Sequence, residues 1–595
     1  MALEIGGLTS TGTESHLFSL GEYCAMCLLV WSPDVWPPPP PHADEGGEDA
    51  LPNIPDLPDA ALRARLLGVD EATLPHLDGG TLPDDEEQPK EVQEQIEQVR
   101  AHVEALREAV REQHDAIQEF RAGVPRVRRA LANVASYMIF DDHEVTDDWN
   151  LTRRWVERVQ ASPVGRMILR NGLLAYGLFQ GEGNEPARYA DEASPNGRLL
   201  ARAGDLFPAD ADEPPVLAAA AEIDQLLGLG GDTPLVRWNY QVPGARHRVI
   251  VPDTRTRRIY AGEITPAALI SPVEIDAQIP AGPLPAGIEA LVVIAAAPVL
   301  GVPVIETLGQ SLASRVGDFL HAIGRREHPG YQDPDMEAWA HDPIAFELLL
   351  ERLAPYRRVI FLSGDVHYAA GAELSYWRQG DDAASRFVQF TSSGARNSWP
   401  AAVQSFVRSF SLAQRILRLL IPIEQLAWNE AQPNPVALPP ETVPASALRF
   451  KLNQSPVLIP ARGWPEGTQT TRPPDWSWRF KLLVDPRSAA ELPEAARPAP
   501  LESDVEPAAG IDAYHAVARR HAQGLETATH TRRPLFPHNL GVVTFSRDGG
   551  RLMVHHELLS RHPHADPPDV PDVYTLHEAR LDGTEETPPV IGGWS

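Results

Sequence analysis

Two segments of the sequence end a short apolar run in a cluster of acids and histidine. The first is Met138-Ile-Phe-Asp-Asp-His-Glu-Val-Thr-Asp-Asp-Trp149, and the second is Val359-Ile-Phe-Leu-Ser-Gly-Asp-Val-His367. Ligands of open α/β sheets gather just beyond the carboxyl ends of the strands, where both clusters are predicted to lie. Either segment alone has a plain structural explanation, since an Asp-Asp pair can cap a following helix. The recurrence of one pattern at two distant places favours a functional site.

The side chains in these clusters are of the kinds that bind metal ions and transfer protons. The predicted metal ligands are Asp141, Asp142, Asp365 and His367. Carboxylate oxygen together with imidazole nitrogen suits zinc, iron or manganese, and additional carboxylates suit calcium. His143 is the predicted catalytic residue, because an imidazole can protonate a leaving alkoxide. The sequence therefore predicts a metal-dependent site, with the ion open among these four metals.

Alternating strands and helices must position these clusters, and this alternation predicts an α/β fold. Strands are predicted at Ser136–Phe140, 235–241, 247–252, 257–262, 290–297, 358–362, 386–391 and 541–545, and 551–559 is predicted to pair with the last of them as a hairpin. Helices are predicted at 14–31, 84–122, 126–133, 151–182, 304–324 and 342–354, with a polar loop at 183–213. The charge-dense helix 84–122 is predicted to be a solvated structural arm.

The acidic composition restricts the classes of partner. The 595 residues carry a net charge of −30, and nucleic-acid backbones bind basic faces, so tracking along nucleic acid is not expected. The absence of a Gly-x-x-x-x-Gly-Lys loop excludes a P-loop nucleotide site. Cys24 and Cys27 lack the second pair that structural zinc requires, and they are predicted to be inert core thiols. The apolar run at 17–31 is too short and too polar for a membrane span, which predicts a cytoplasmic protein if the natural N-terminus carries no export signal.

The acid–histidine segments resemble a known family. Phe140-Asp-Asp-His-Glu-Val-Thr-Asp-Asp-Trp149 and Ser363-Gly-Asp-Val-His367 are similar to the central and late motifs of the PhoD-like phosphatases, a branch of the calcineurin-like metallophosphoesterases. Weaker matches are Val251-Pro-Asp-Thr-Arg-Thr-Arg-Arg258, Phe390-Thr-Ser-Ser-Gly-Ala-Arg-Asn397 and Pro537-His-Asn-Leu-Gly-Val-Val543. The resemblance implies a sandwich of mixed β-sheets flanked by helices, with long helical and Pro-rich insertions.

The resemblance also implies roles for single residues. Asp142 would bind a metal ion, and His143 would contact the phosphate of a small phosphate-ester substrate. Asp365 and His367 would supply two further ligands. The implied reaction is the attack of a metal-activated water on phosphorus in line with the leaving group.

Four further positions are weaker candidates. Asp141 and Asp147 are secondary ligand candidates. The resemblance places Arg255 and Asn397 near the substrate, although Asp253-Thr-Arg255 is also explained as an ordinary turn at a strand end.

One expected motif is not found. The family's first motif, Gly-Asp-x-x-Tyr, should precede the Asp-Asp-His-Glu block, and nothing in the sequence matches it. The expectation is a chain that starts late and lacks the first core strands and most ligands of one metal, with weak or absent activity. The predicted organisation is a core at 1–421, a Pro/Ala-rich, loop-like insertion at 422–512 and core-completing strands at 513–595. The alternative is a non-catalytic, metallophosphatase-like binding scaffold.

Overall fold

The computed structural model describes most of the chain, in two compact units. The described residues are 6–8, 16–37, 90–147, 149–206, 213–231, 233–263, 267–302, 339, 342–393, 424–429, 435–440, 456–488, 490–492, 535, 538–560, 572–583 and 586–592. One unit is Gly21–Tyr137, and the other joins Met1–Leu20 to Met138–Ser595. The predicted helix at 304–324 and the candidate Asn397 lie outside the described residues.

Two α-helices are present among the described residues of the smaller unit: α1 (Leu20–Trp31), of which all but the first residue belongs to it, and α2 (Lys90–Asn133). The helix predicted from residue 14 begins only at Leu20. The predicted break at Pro125 is wrong, because α2 continues through this residue. Proline removes one N–H donor, and the turns on both sides keep the helix continuous. After α1 the chain turns at Pro33–Val35, and the Arg121 guanidinium lies 5.6 Å from the centre of the Trp36 ring.

Eight helices of the larger unit lie within its described residues. They are α3 (Arg153–Ala161), α4 (Pro163–Tyr176), α5 (Glu182–Asn184), α6 (Pro186–Ala190), α7 (Pro195–Ala203), α8 (Glu213–Leu227), α9 (Pro272–Gln278) and α10 (Pro343–Leu353). The single helix predicted at 151–182 is interrupted at Ser162, which caps α4 by accepting a hydrogen bond from Gly165 N–H at 3.1 Å. The polar loop predicted at 183–213 is wrong in its described part, which forms α5, α6 and α7.

Fourteen strands are present among the described residues. They are β1 (Tyr240–Pro243), β2 (His247–Val251), β3 (Ala290–Ile294), β4 (Arg358–Ser363), β5 (Ala370–Arg378), β6 (Ser385–Thr391), β7 (Glu424–Trp428), β8 (Val436–Ala437), β9 (Val457–Pro460), β10 (Gln469–Thr470), β11 (Trp476–Leu482), β12 (Asn539–Asp548), β13 (Arg551–Ser560) and β14 (Asp572–Arg580). The predicted hairpin is confirmed as β12–β13. The strand predicted at 257–262 is wrong, since only Ile259 pairs there, in an isolated bridge to Ala268.

Nine strands form one mixed sheet in the order β1-β2-β3-β4-β6-β5-β11-β7-β9. β2, β3, β4 and β6 are parallel, whereas β5, β11, β7 and β9 pair antiparallel. The prediction of a loop-like segment at 422–512 is wrong, because three of these strands come from it. These strands are short and are stabilised by pairing, since β11 pairs with β5, β7 with β11, and β9 with β7.

The three-stranded sheet β12-β13-β14 packs on one face of the large sheet, and helices cover the other. Leu291 and Val293 of β3 join a core with Leu350 of α10, while Ala290 and Val292 join one with Val554 of β13. This alternation follows the period of two along a strand. A buried Val or Leu side chain contributes about 1.5–3 kcal/mol, which makes β3 a main stabilising element of both layers. The α/β class is thereby confirmed.

Within the described part of the chain, no helix is both long and apolar enough to cross a membrane.

Candidate metal centre

The segment that leads into the first cluster is not a strand, although one was predicted at Ser136–Phe140. Side chains rather than a neighbouring strand bind its backbone. Met138 N–H donates to Asn184 Oδ1 at 2.8 Å, and Met138 O accepts from Asn184 Nδ2 at 2.9 Å and from the Tyr240 hydroxyl at 2.8 Å. Phe140 is buried against the edges of Tyr176 and Trp238. The segment is therefore fixed by specific contacts, and the acids that follow it are held at a defined place.

A tight turn presents the acids of this first cluster. Asp141 Oδ1 accepts from His143 N–H at 2.8 Å, and Asp141 N–H donates to Glu144 Oε2 at 3.0 Å. Asp142 O accepts from Val145 N–H at 2.9 Å, which closes the turn. Because Thr152 rather than an acid caps the helix α3 that follows, helix capping does not explain Asp141 or Asp142.

The second cluster follows β4, at the carboxyl end of the parallel part of the large sheet. Gly364 N–H donates to Ala296 O, beyond the end of β3, at 3.0 Å. Asp365 and His367 both have left-handed backbone conformations, with φ of 72° and 56°. A non-glycine residue in this region costs about 1–3 kcal/mol and persists only where its surroundings hold it. Such strain is concentrated at functional sites, and here it falls on two predicted site residues.

The structure brings the two clusters together. One oxygen from each carboxylate of Asp141, Asp142 and Asp365 lies within 4.8 Å of the others. Asp142 is 1% exposed, and the other two residues are half-buried. Among the residues that the structure describes, no histidine nitrogen belongs to this group, so His367 is placed beside the carboxylates rather than among them.

Arg255 balances part of this negative charge from below the surface. Its Nη2 lies 3.7 Å from Asp142 Oδ1, both side chains are 1% exposed, and its Nη1 donates to Trp149 O at 2.9 Å. Arg255 follows β2 in a turn in which Asp253 Oδ1 accepts from Arg255 N–H at 3.0 Å. The guanidinium predicted to bind substrate is therefore near the site but buried behind Asp142.

The surroundings shift the pKa values of the two histidines in opposite directions. Desolvation lowers the pKa of His143, but the carboxylates of Asp142 and Asp141 outweigh it and hold this pKa above its ordinary value. Burial, together with the nearby His143, lowers the pKa of His367. Burial, followed by the nearby Asp141 carboxylate, raises the pKa of Glu144 to about 8. At neutral pH His143 is therefore the better proton donor and His367 the better lone-pair donor.

Two residues at the site were missed by the sequence analysis. Ser393 Oγ accepts from His367 N–H at 2.9 Å, and Asn539 Nδ2 donates to Ser393 O at 2.9 Å. Both lie inside quoted motifs, at 390–397 and 537–543, but serine and asparagine carry no spacing that marks a role. Asp147, the secondary ligand candidate, contributes to the raised pKa of His143 but is not in the carboxylate group.

The carboxylate group fits a single hard metal ion. Oxygen–metal distances of about 2.0–2.6 Å allow two oxygens on one ion to lie up to about 5 Å apart. The observed separations satisfy this limit. Carboxylate oxygens suit magnesium, calcium and manganese better than softer metals.

The fold and the site thus define a mixed α/β protein with a carboxylate cluster just beyond the carboxyl end of β4. Comparisons of the chain with protein-family models, with curated proteins and with solved structures gave no match.

Proposed function

We propose that this chain is a metal-dependent hydrolase of small phosphate esters, of the PhoD-like type, with the ion held by Asp141, Asp142 and Asp365. The observation that carries the proposal is the meeting of these carboxylates from two distant segments. A mixed sheet with a second sheet on one face and helices on the other supports a calcineurin-like arrangement. The oxygen-rich group favours manganese or calcium over zinc or iron.

The residues around the carboxylates have different roles in the proposed reaction. The ion, when bound, would neutralise charge on the phosphate and acidify a water molecule. His143, whose side chain is 54% exposed, stands at the rim and donates a proton to the leaving alkoxide. Arg255 is a buried counter-charge that orients Asp142 and does not contact the substrate. Since the described residues offer one carboxylate group of this kind, we propose slow turnover through one ion.

Ion binding and turnover by the full chain test the proposal. Calorimetric titration with Mn²⁺ and with Ca²⁺ is expected to give one site, and bis(p-nitrophenyl) phosphate to be hydrolysed slowly. Asp142→Asn should abolish the site, while His143→Ala should keep it and lower kcat by about 10²-fold or more. Glu157→Gln, which removes an exposed acid paired with Arg153, is the matched control and should change neither result.

The possible failures differ in meaning. Turnover that survives Asp142→Asn would refute the assignment of the site. A chain that binds no ion and hydrolyses neither monoesters nor diesters would instead favour the non-catalytic scaffold.

A further inference from the structure

We propose that Asn539, on the three-stranded sheet, is a positioning residue that holds the His367 loop of the large sheet in its strained form. The chemistry that this serves rests on the proposed function, whereas the positioning itself is a property of the chain. Asn539 is bonded to Ser392 and Ser393, which are not metal ligands, so its effect on the site acts through the backbone of His367.

A continuous chain of hydrogen bonds carries the inference. Asn539 Oδ1 accepts from the Ser392 hydroxyl at 2.8 Å, and Asn539 Nδ2 donates to Ser393 O at 2.9 Å. Ser393 Oγ in turn accepts from His367 N–H at 2.9 Å. Ser393 is 8% exposed, so a lost bond here is not replaced freely by water.

Asparagine is suited to this place because its amide both donates and accepts. Aspartate at 539 could still accept from Ser392 but could not donate to Ser393 O, and its charge would face that carbonyl oxygen. Gly541, two residues further along β12, is closely packed as well. A Cβ on Gly541 would lie 2.9 Å from Ser392 Cβ, which shows that β12 lies directly against this loop.

Because the loop is strained, the loss of the hydrogen bonds that connect it to Ser393 and Asn539 is expected to change its conformation. Asp365 and His367 have positive φ, and a backbone in this region relaxes once its restraints are lost. Asp365 supplies a carboxylate to the cluster, so a relaxed loop would move one of three oxygens. Partners that orient metal ligands change metal affinity by about 10–100-fold when they are removed.

Two measurements on the full chain test this inference. Hydrogen exchange of the peptide that contains residues 364–368 reports the His367 amide without any metal. Exchange is expected to be about fivefold faster or more in Asn539→Asp and Ser393→Ala, and close to normal in Ser393→Thr, which keeps the hydroxyl. Mn²⁺ affinity should fall by about tenfold or more in the first two variants, and the double variant should fall no further.

The control is Ser546→Ala, which removes a single hydroxyl contact, Ser546 Oγ to His555 Nε2 at 2.6 Å, from the same sheet. It should leave both the exchange and the Mn²⁺ affinity unchanged. Unchanged exchange at 364–368 in Asn539→Asp would overturn the inference, even in a protein that binds Mn²⁺. A wild-type chain that binds no Mn²⁺ would defeat the proposed function, and the exchange measurement would still decide the role of Asn539.

Discussion

Glu347 provides a test of the fold that is independent of the metal centre. This residue of α10 is 4% exposed, and its Oε1 accepts from Trp478 Nε1 of β11 at 2.9 Å. Burial raises the pKa of Glu347 to about 7 from its ordinary value of 4.5. The perturbation is Glu347→Gln, which keeps an oxygen for Trp478 and removes the charge.

The expected effect follows from linkage. A carboxyl group whose pKa is higher in the folded than in the unfolded protein adds to the free energy of unfolding. This contribution is fully present below pH 4.5 and is lost as the pH rises through 7. One pH unit corresponds to about 1.4 kcal/mol, so the loss is about 3 kcal/mol between pH 4.5 and pH 8. The Glu347→Gln variant should therefore have nearly the same free energy of unfolding as the wild type at low pH. At pH 8 it should be about 3 kcal/mol more stable than the wild type.

Urea unfolding at a series of pH values measures this difference. Glu157→Gln, at an exposed position of α3, is the matched control and should change the unfolding free energy by less than about 0.5 kcal/mol. A Glu347→Gln advantage that does not change between pH 5 and pH 8 would refute the reasoning, because it would show that the carboxyl group is ionised in the folded protein throughout.

Three further predictions concern the site and its support. Asp365→Gly, with glycine free to adopt the observed φ, should raise the unfolding free energy by about 1 kcal/mol and abolish Mn²⁺ binding by calorimetry. Arg255→Met leaves Asp142 buried without its counter-charge and should cost about 3–5 kcal/mol in urea, partly restored by saturating Mn²⁺, whereas the exposed Arg153→Met should cost almost nothing. Gly541→Ala should cost about 1–3 kcal/mol in the same assay, because its Cβ would lie 2.5 Å from His556 Nε2; an equal effect of Gly592→Ala, which has open space, would contradict this.

The sequence predicts the parts of the site that depend on local pattern. The apolar run of β4 predicts a strand, and an acid directly after a parallel strand predicts the place of Asp365. Ser136–Phe140 has an equally apolar run, yet side chains such as Asn184 take the hydrogen bonds that a neighbouring strand would have supplied. Local composition cannot distinguish these two outcomes, because the partners lie far away in the chain.

The supporting residues escape prediction for a related reason. Ser393 and Asn539 are ordinary polar residues, and their importance arises only when the residues that follow β6 meet the first residue of β12. The same applies to β11, whose seven residues lie in a Pro-rich region and whose place between β5 and β7 depends on pairing.

The sheet order has a consequence for how the protein matures on the ribosome. The strands that carry the carboxylate-bearing loop are synthesised by Thr391, but Asn539 is added 146 residues after its partner Ser393. The nascent chain can therefore form the parallel strands first, whereas the loop at Asp365 and His367 gains its hydrogen-bonded connection, through Ser393, to Asn539 only after a further 146 residues have been added. The capacity to retain an ion would then be acquired only when the β12–β13 hairpin docks.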